Sequence, residues 1–141
     1  ELRGLAHLSQ DPTLLAVYRG ERRNPDGSLV DLHAALAERI FGVKPKDQDK
    51  HKHRLPAKAI NFGIPMGLTC HGLSVELRKN GVDANEDTAQ QWLDETLDLY
   101  KGVADYMEQR KAEARQWGYV RCLSGRIRYI GGIRSRDDRT R

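Results

Sequence analysis

Apolar residues recur at helical spacing from the start of the chain. Leu2, Leu5, Ala6 and Leu8 fit a period near 3.6, and Asp11-Pro12 closes that stretch. Thr13 to Tyr18 predicts a second short helix. Gly20 to Leu29 (GERRNPDGSL) is polar and rich in turn formers, which predicts a loop built on a Pro-Asp-Gly turn. Asp31 to Phe41 (DLHAALAERIF) predicts a helix, with Asp31 placed to cap it or favour its N-terminal dipole and Gly42 fitting just past its end. Val43 to His53 is charged and carries no apolar period, so it predicts a mobile linker.

The pattern resumes at Arg54 to Ile64 (RLPAKAINFGI), a predicted helix with Pro56 in its first turn, where a missing N–H costs little. Gly63 and Pro65 weaken and stop it. His71 to Lys79 predicts another short helix, closed by Asn80-Gly81. Asn85 can cap the longest helical stretch, whose inner stripe is Ala89, Trp92, Leu93, Thr96, Leu97 and Tyr100. Val103, Tyr106 and Met107 continue it, with an irregularity near Gly102. Tyr119 to Cys122 and Ile127 to Ile130 predict two strands joined through Leu123-Ser124-Gly125-Arg126. The expected fold is therefore mainly α with one short antiparallel hairpin.

Composition narrows the class. The 141 residues amount to about one domain, with 38% hydrophobic and 31% charged residues. No apolar run is long enough to predict a membrane span, and no basic stretch followed by an apolar one opens the chain as a secretory signal would. Cys70 and Cys122 match no zinc or Cys-x-x-Cys spacing. They read as reduced thiols of a cytosol-like compartment, with one disulfide the alternative. There is no initiating Met, and the chain reads as a piece of something longer. The net charge of +4 is unevenly placed: residues 110–141 hold ten basic and three acidic side chains, leaving −3 for residues 1–109. That basic end fits a polyanion partner, nucleic acid being the commonest, and equally fits simple solubility.

One spacing points to chemistry. Arg54, Lys58, Phe62 and Met66 are four apart and drift slowly along one helix face. Two cations near a helix N-terminus, about 6 Å apart along the axis, suit a polyphosphate. Phe62 then offers a ring for a sugar or base. Taken alone, Arg and Lys at this spacing more often make a solvated face.

The residues themselves carry more. Arg54-Leu-Pro-Ala-Lys58-Ala-Ile-Asn-Phe62-Gly63 resembles the nucleotide-binding fingers helix of family A DNA polymerases, the bacterial DNA polymerase I type. Glu1-Leu-Arg-Gly-Leu-Ala-His-Leu-Ser-Gln-Asp-Pro resembles the stretch after that family's first catalytic motif, Asp-Tyr-Ser-x-x-Glu. Asp31-Leu-His33 with Ile40-Phe-Gly42 resembles its Asp-Ile-His segment. Gly118-Tyr-Val with Gly125-Arg-Ile-Arg-Tyr resembles its Gly-Tyr-Val and Gly-Arg-Arg-Arg hairpin. The four motifs occur in order over nearly the whole chain.

The resemblance implies template-directed addition of deoxynucleoside triphosphates to a DNA primer 3′ end, in replication or repair, with Mg2+ as cofactor. It implies that Arg54 and Lys58 hold the triphosphate, that His33 helps at the phosphates, and that Phe62 lies against sugar and base. Glu1 would be the gate against a ribose 2′-OH. Met66 and Gly67 would stand at the template base, and Arg126 and Arg128 would touch the DNA backbone. It divides the chain into a palm-derived segment (1–20), fingers (21–115, with the nucleotide helix at 54–64) and a hairpin returning toward the palm (116–141). Its partners would be primer-template DNA, the nucleotides and the rest of the parent polymerase, with no membrane. The setting would be the cytoplasm of a bacterium or of a virus-infected host cell.

The departures are specific. The family's first catalytic Asp falls five positions before Glu1, and its His-Asp-Glu motif does not occur in the chain. No catalytic residue or metal ligand is therefore expected here, and the isolated piece is predicted inactive. Met66 stands where the family motif has a tyrosine, and it supplies neither ring nor hydroxyl. Residues 20–30 look longer than the usual link into Asp-Ile-His.

Other residues have plainer readings. His51 and His53 lack the companions of a metal site, and Asp47 and Asp49 read as solvated charges. Trp92 and Tyr100 read as core, Trp117 as buried rather than base-stacking, and His7 as a structural histidine on an apolar face. Two alternatives stand beside the polymerase. One is a non-catalytic DNA-binding module on the same scaffold. The other is a fragment of the related single-subunit RNA polymerases, against which Glu1 and Phe62-Gly63 argue.

Overall fold

A computed structural model of the chain describes residues 2–133. Among these, seven α-helices and one two-stranded antiparallel sheet form two compact units, one running to Val103 and one beginning at Ala104. The mainly helical fold with a short hairpin is the one the pattern predicts.

The first unit opens with α1 (Leu2–Ser9) and α2 (Pro12–Tyr18). Asp11 caps α2: it is fully buried, and its Oδ1 accepts from Leu14 N at 2.9 Å. His7 is exposed, contrary to the expectation of a structural histidine. The buried side of α1 is Leu2 and Ala6, and the next residue along lies about 100° round the helix from Ala6. The loop after α2 closes through Gly27 N to Asn24 O (2.9 Å) and a bridge between Arg23 and Leu29.

α3 (Leu32–Phe41) is capped by Asp31 and ended by Gly42 in the left-handed region (φ 67°). The following segment is not the mobile linker that its composition predicts. It contains a 3₁₀ turn (Pro45–Asp47) and a π-helical turn (Lys50–Arg54). Tertiary bonds order it. Gln48 Nε2 donates to Ala34 O (2.8 Å) and Val43 O (2.9 Å), and the His53 ring packs on Phe41 with centroids 5.4 Å apart.

α4 (Leu55–Gly63) follows directly, with Pro56 in its first turn, and runs on into a 3₁₀ turn, Ile64–Met66. A Cβ on Gly63 would lie 2.3 Å from Leu68 Cδ2 and 3.0 Å from its Cβ, so glycine lets Leu68 pack closely against this turn. α5 (Cys70–Lys79) is capped by Thr69 and packs on α6 (Glu86–Leu99), which is capped by Asn85. Ala89, Leu93, Thr96 and Tyr100 form the buried stripe. Trp92 sits edge-on to Phe41 at 5.2 Å and fastens α6 to α3. Buried Leu14, Leu36, Ile60, Leu73 and Leu77 complete the core.

The helical path breaks at Tyr100 (φ −112°, ψ 61°) and restarts as α7 (Lys101–Trp117), which gives physical form to the irregularity expected near Gly102. Gly102 N donates to the buried Asp11 Oδ2 at 2.9 Å, and a Cβ on Gly102 would meet Asp11 Cα at 2.6 Å.

The second unit holds the rest of α7 and the hairpin of β1 (Tyr119–Arg121) and β2 (Ile127–Tyr129), in register Tyr119↔Tyr129, Val120↔Arg128 and Arg121↔Ile127. Trp117 is 56% exposed, which corrects the expectation of burial. Ala114 is the buried hydrophobe among residues 104–133, so the described residues of that unit form no core to receive an indole. Cys70 and Cys122 are both free thiols. The Ser124 hydroxyl, 3.0 Å from Cys122 Sγ, holds that thiol below its ordinary pKa.

Candidate functional site

The π-helical turn and the first turn of α4 meet the start of α3 around an open groove of about 250 Å³. It is lined by His33, Lys50, Arg54, Leu55 and Lys58. Three of the residues singled out by sequence, His33, Arg54 and Lys58, are thus brought to one concavity.

Asp31 organises its rim. Its Oδ1 caps α3, accepting from His33 N (2.9 Å) and Ala34 N (3.2 Å), while Oδ2 pairs with Arg54 Nη2. Arg54 is the residue at which the π turn passes into α4. Lys58, one turn on, is exposed and has no carboxylate partner among the described residues. Its Nζ stands 5.7 Å from the Phe62 ring centroid, a cation–π contact. Phe62 is half-buried and meets the His33 ring at 5.6 Å, tilted by 41°.

His33 is held from beneath. Asn61, 2% exposed, places Nδ2 3.1 Å from His33 Nδ1 and 3.5 Å from Leu32 O. With the amide nitrogen as donor, Nδ1 accepts and the ring proton resides on Nε2. Burial pushes the His33 pKa below its ordinary value. Asp31 opposes that shift, and Lys58 and Arg54 reinforce it. A neutral imidazole that donates from Nε2 beside two cations is chemically suited to an anionic oxygen.

Beyond the end of α4, in the 3₁₀ turn, Met66 is 72% exposed and Gly67 turns the chain with φ 74°. Glu1 lies outside the described residues. In the second unit, Arg126 and Arg128 line a separate hollow of about 320 Å³ on the hairpin, with Val120, Arg121, Cys122 and Ser124. Arg121 stacks over Tyr119 at 5.6 Å, and Tyr119 meets Tyr129 edge-on at 5.9 Å. No three His, Cys, Asp or Glu side chains cluster for a metal among the described residues. The residues here do not fit a metal site. Nor among them is any helix long and apolar enough to cross a membrane.

Lys50, Asn61 and the pairing role of Asp31 escape the sequence reading. Lys50 had a signal, since it extends the four-residue series of Arg54 and Lys58 by one step. Asn61 and Asp31 reach their partners only through the packing of α3 against α4.

The profile of DNA polymerase family A matches residues 1–141. The chain belongs to DNA polymerase family A. It is 37% identical over 137 residues to DNA polymerase I of Pseudomonas aeruginosa, covering 97% of this chain and 14% of that protein. DNA polymerase I of Bacillus subtilis is 38% identical over 137 residues, with the same two coverages. The chain therefore spans about one seventh of the length of these curated family A relatives. Among solved structures, the POL domain of Pol1 from M. smegmatis, in complex with DNA primer-template and dNTP, is similar. The TM-score is 0.76 with 28% identity, over 99% of this chain and 22% of that one.

Proposed function

We propose that this chain is the incoming-nucleotide segment of a DNA-directed DNA polymerase. The observation that carries the reading is the convergence of Arg54, Lys58 and His33 on one groove, with Phe62 beside it. In it, Arg54 and Lys58 hold the triphosphate, His33 donates to a phosphate oxygen, and Phe62 supports sugar and base. Met66 and Gly67 stand at the templating base, Arg126 and Arg128 contact the DNA backbone, and Glu1 excludes a ribose 2′-OH. Residues 1–20 belong to the palm, 21–115 to the fingers and 116–141 to the hairpin returning toward the palm. Substrates are deoxynucleoside triphosphates and primer-template DNA, the two ligands of the similar mycobacterial domain. The Mg2+ implied by the resemblance would be held elsewhere in the polymerase. The work of these residues is to bind and orient the nucleotide. The cytoplasm of a bacterial cell is the setting.

Primer extension by the complete polymerase, with each templating base in turn, tests the reading. It predicts incorporation of the complementary deoxynucleotide each time. Incorporation that ignores the template, or prefers ribonucleotides, would contradict it.

A further inference from the structure

We propose that Lys50 is a third phosphate-binding cation of the groove, placed to take the terminal phosphate of the incoming triphosphate. The inference rests on reading that groove as the triphosphate site. Lys50 opens the π-helical turn immediately ahead of α4 and lines the groove together with His33, Arg54 and Lys58. Lys50, Arg54 and Lys58 are four residues apart, so the series continues through the junction of the two helix types. π-helical turns occur frequently at functional sites.

The turn that carries Lys50 is firmly built. Asp49 Oδ1 accepts from His51 N and Lys52 N, each at 2.8 Å, and Asp49 N donates to His53 Nδ1 at 2.9 Å. Arg54 N reaches Asp49 O at 3.3 Å, the five-residue step of the π turn. Gln48, next before Asp49, is bonded to Ala34 O and Val43 O. The backbone of Lys50 is thus fixed at the groove while its ammonium, exposed and without an ion pair among the described residues, is left for a ligand.

Charge favours the assignment. Arg54 is paired with Asp31, so Arg54 and Lys58 together leave one net positive charge at the rim. A triphosphate tail carries roughly four negative charges at neutral pH. Lys50 doubles the net positive charge available to it. The groove, at about 250 Å³, is smaller than the roughly 300–1,000 Å³ that encloses a drug-sized ligand. It suits the phosphate tail, with sugar and base lying outside it along Phe62.

The test is made in the complete polymerase with Lys50→Ala, Lys50→Arg and Lys50→Glu. Single-turnover incorporation gives the apparent nucleotide Kd, titration gives the primer-template Kd, and inorganic tripolyphosphate serves as competitor. Lys50→Ala should raise the nucleotide Kd roughly three- to tenfold, the scale of one charge-assisted hydrogen bond near solvent. It should weaken tripolyphosphate inhibition to match. Lys50→Glu should do more, Lys50→Arg should restore both, and the primer-template Kd should stay unchanged. A nucleotide Kd within twofold of wild type overturns the proposal, and so does a loss confined to primer-template binding. Arg54→Ala separates the two levels. If it weakens nucleotide binding and Lys50→Ala does not, only the role of Lys50 fails. If neither does, the triphosphate reading of the groove fails with it.

Discussion

Asp31 and Arg54, the latter lining the groove, are joined side chain to side chain, and the same Asp31 carboxylate caps α3 with its other oxygen. The start of one helix thereby sets the position of a cation at the start of another. Both side chains are more than 40% exposed, so the pair itself contributes at most about 1 kcal/mol. Its larger consequence is geometric, because it holds the guanidinium at the groove mouth.

Separate substitutions divide these roles. Asp31→Ala removes cap and pair, and should lower stability by about 1–2 kcal/mol, mostly through the cap. Asp31→Asn keeps an acceptor for the cap and should cost less than half as much. Urea midpoints check this, and equal losses for the two variants would mean that the ion pair rather than the cap dominates.

Asp11 should matter more for the fold. Its buried carboxylate accepts from Leu14 N and Gly102 N, tying the start of α2 to the start of α7. Asp11→Ala leaves the Gly102 amide without its acceptor and removes a cap, a loss of roughly 2–4 kcal/mol. Gly102→Ala forces a Cβ toward the Asp11 backbone and should cost about 1–3 kcal/mol. Denaturant unfolding of either variant with a midpoint like wild type would refute this coupling.

The caps are legible in the sequence because they are local. Asp31 and Asn85 announce helix starts through residues two or three positions away, whereas Asp11, which reads in the sequence as the end of the first stretch, is in the structure the cap of α2. The face of Arg54, Lys58 and Phe62 is legible for the same reason. Residues 43–53 are not, since their order comes from Gln48 reaching Ala34 and His53 reaching Phe41, neither of which leaves a periodic trace. A stretch that reads as mobile also conceals Lys50. Asn61 is invisible as a site residue because its partner, His33, lies on another helix. Trp117 departs from expectation because a large aromatic ordinarily finds a core, and α7 with its hairpin offers none.

His33 predicts a pH dependence. Burial holds its folded pKa below the ordinary value of 6.5. The unfolded chain therefore takes up the proton first as pH falls. The stability from neutral His33 is complete above about 6.5 and is lost as pH drops through the folded value. The ring is half-buried, so the effect is modest. His33→Gln should narrow the difference between urea midpoints measured at about pH 7.5 and about pH 5.5. An unchanged difference would show that the imidazole does not contribute.

Arg126 and Arg128 should act on DNA and not on the nucleotide. Replacing either with Ala in the complete polymerase should reduce the salt dependence of primer-template binding by about one unit of slope in log Kd against log salt. The nucleotide KM should not change. An unchanged slope would remove that arginine from the backbone contacts.

The central claim is that the face of α4 meets a triphosphate, and Lys58→Ala tests it most directly. In the complete polymerase, kcat/KM for the incoming deoxynucleotide should fall about tenfold to a hundredfold, the scale of removing one charge-assisted hydrogen bond from a closed site. The primer-template Kd should hold. A kcat/KM within about twofold of wild type, as for a solvated surface lysine worth no more than about 0.5 kcal/mol, would contradict the account.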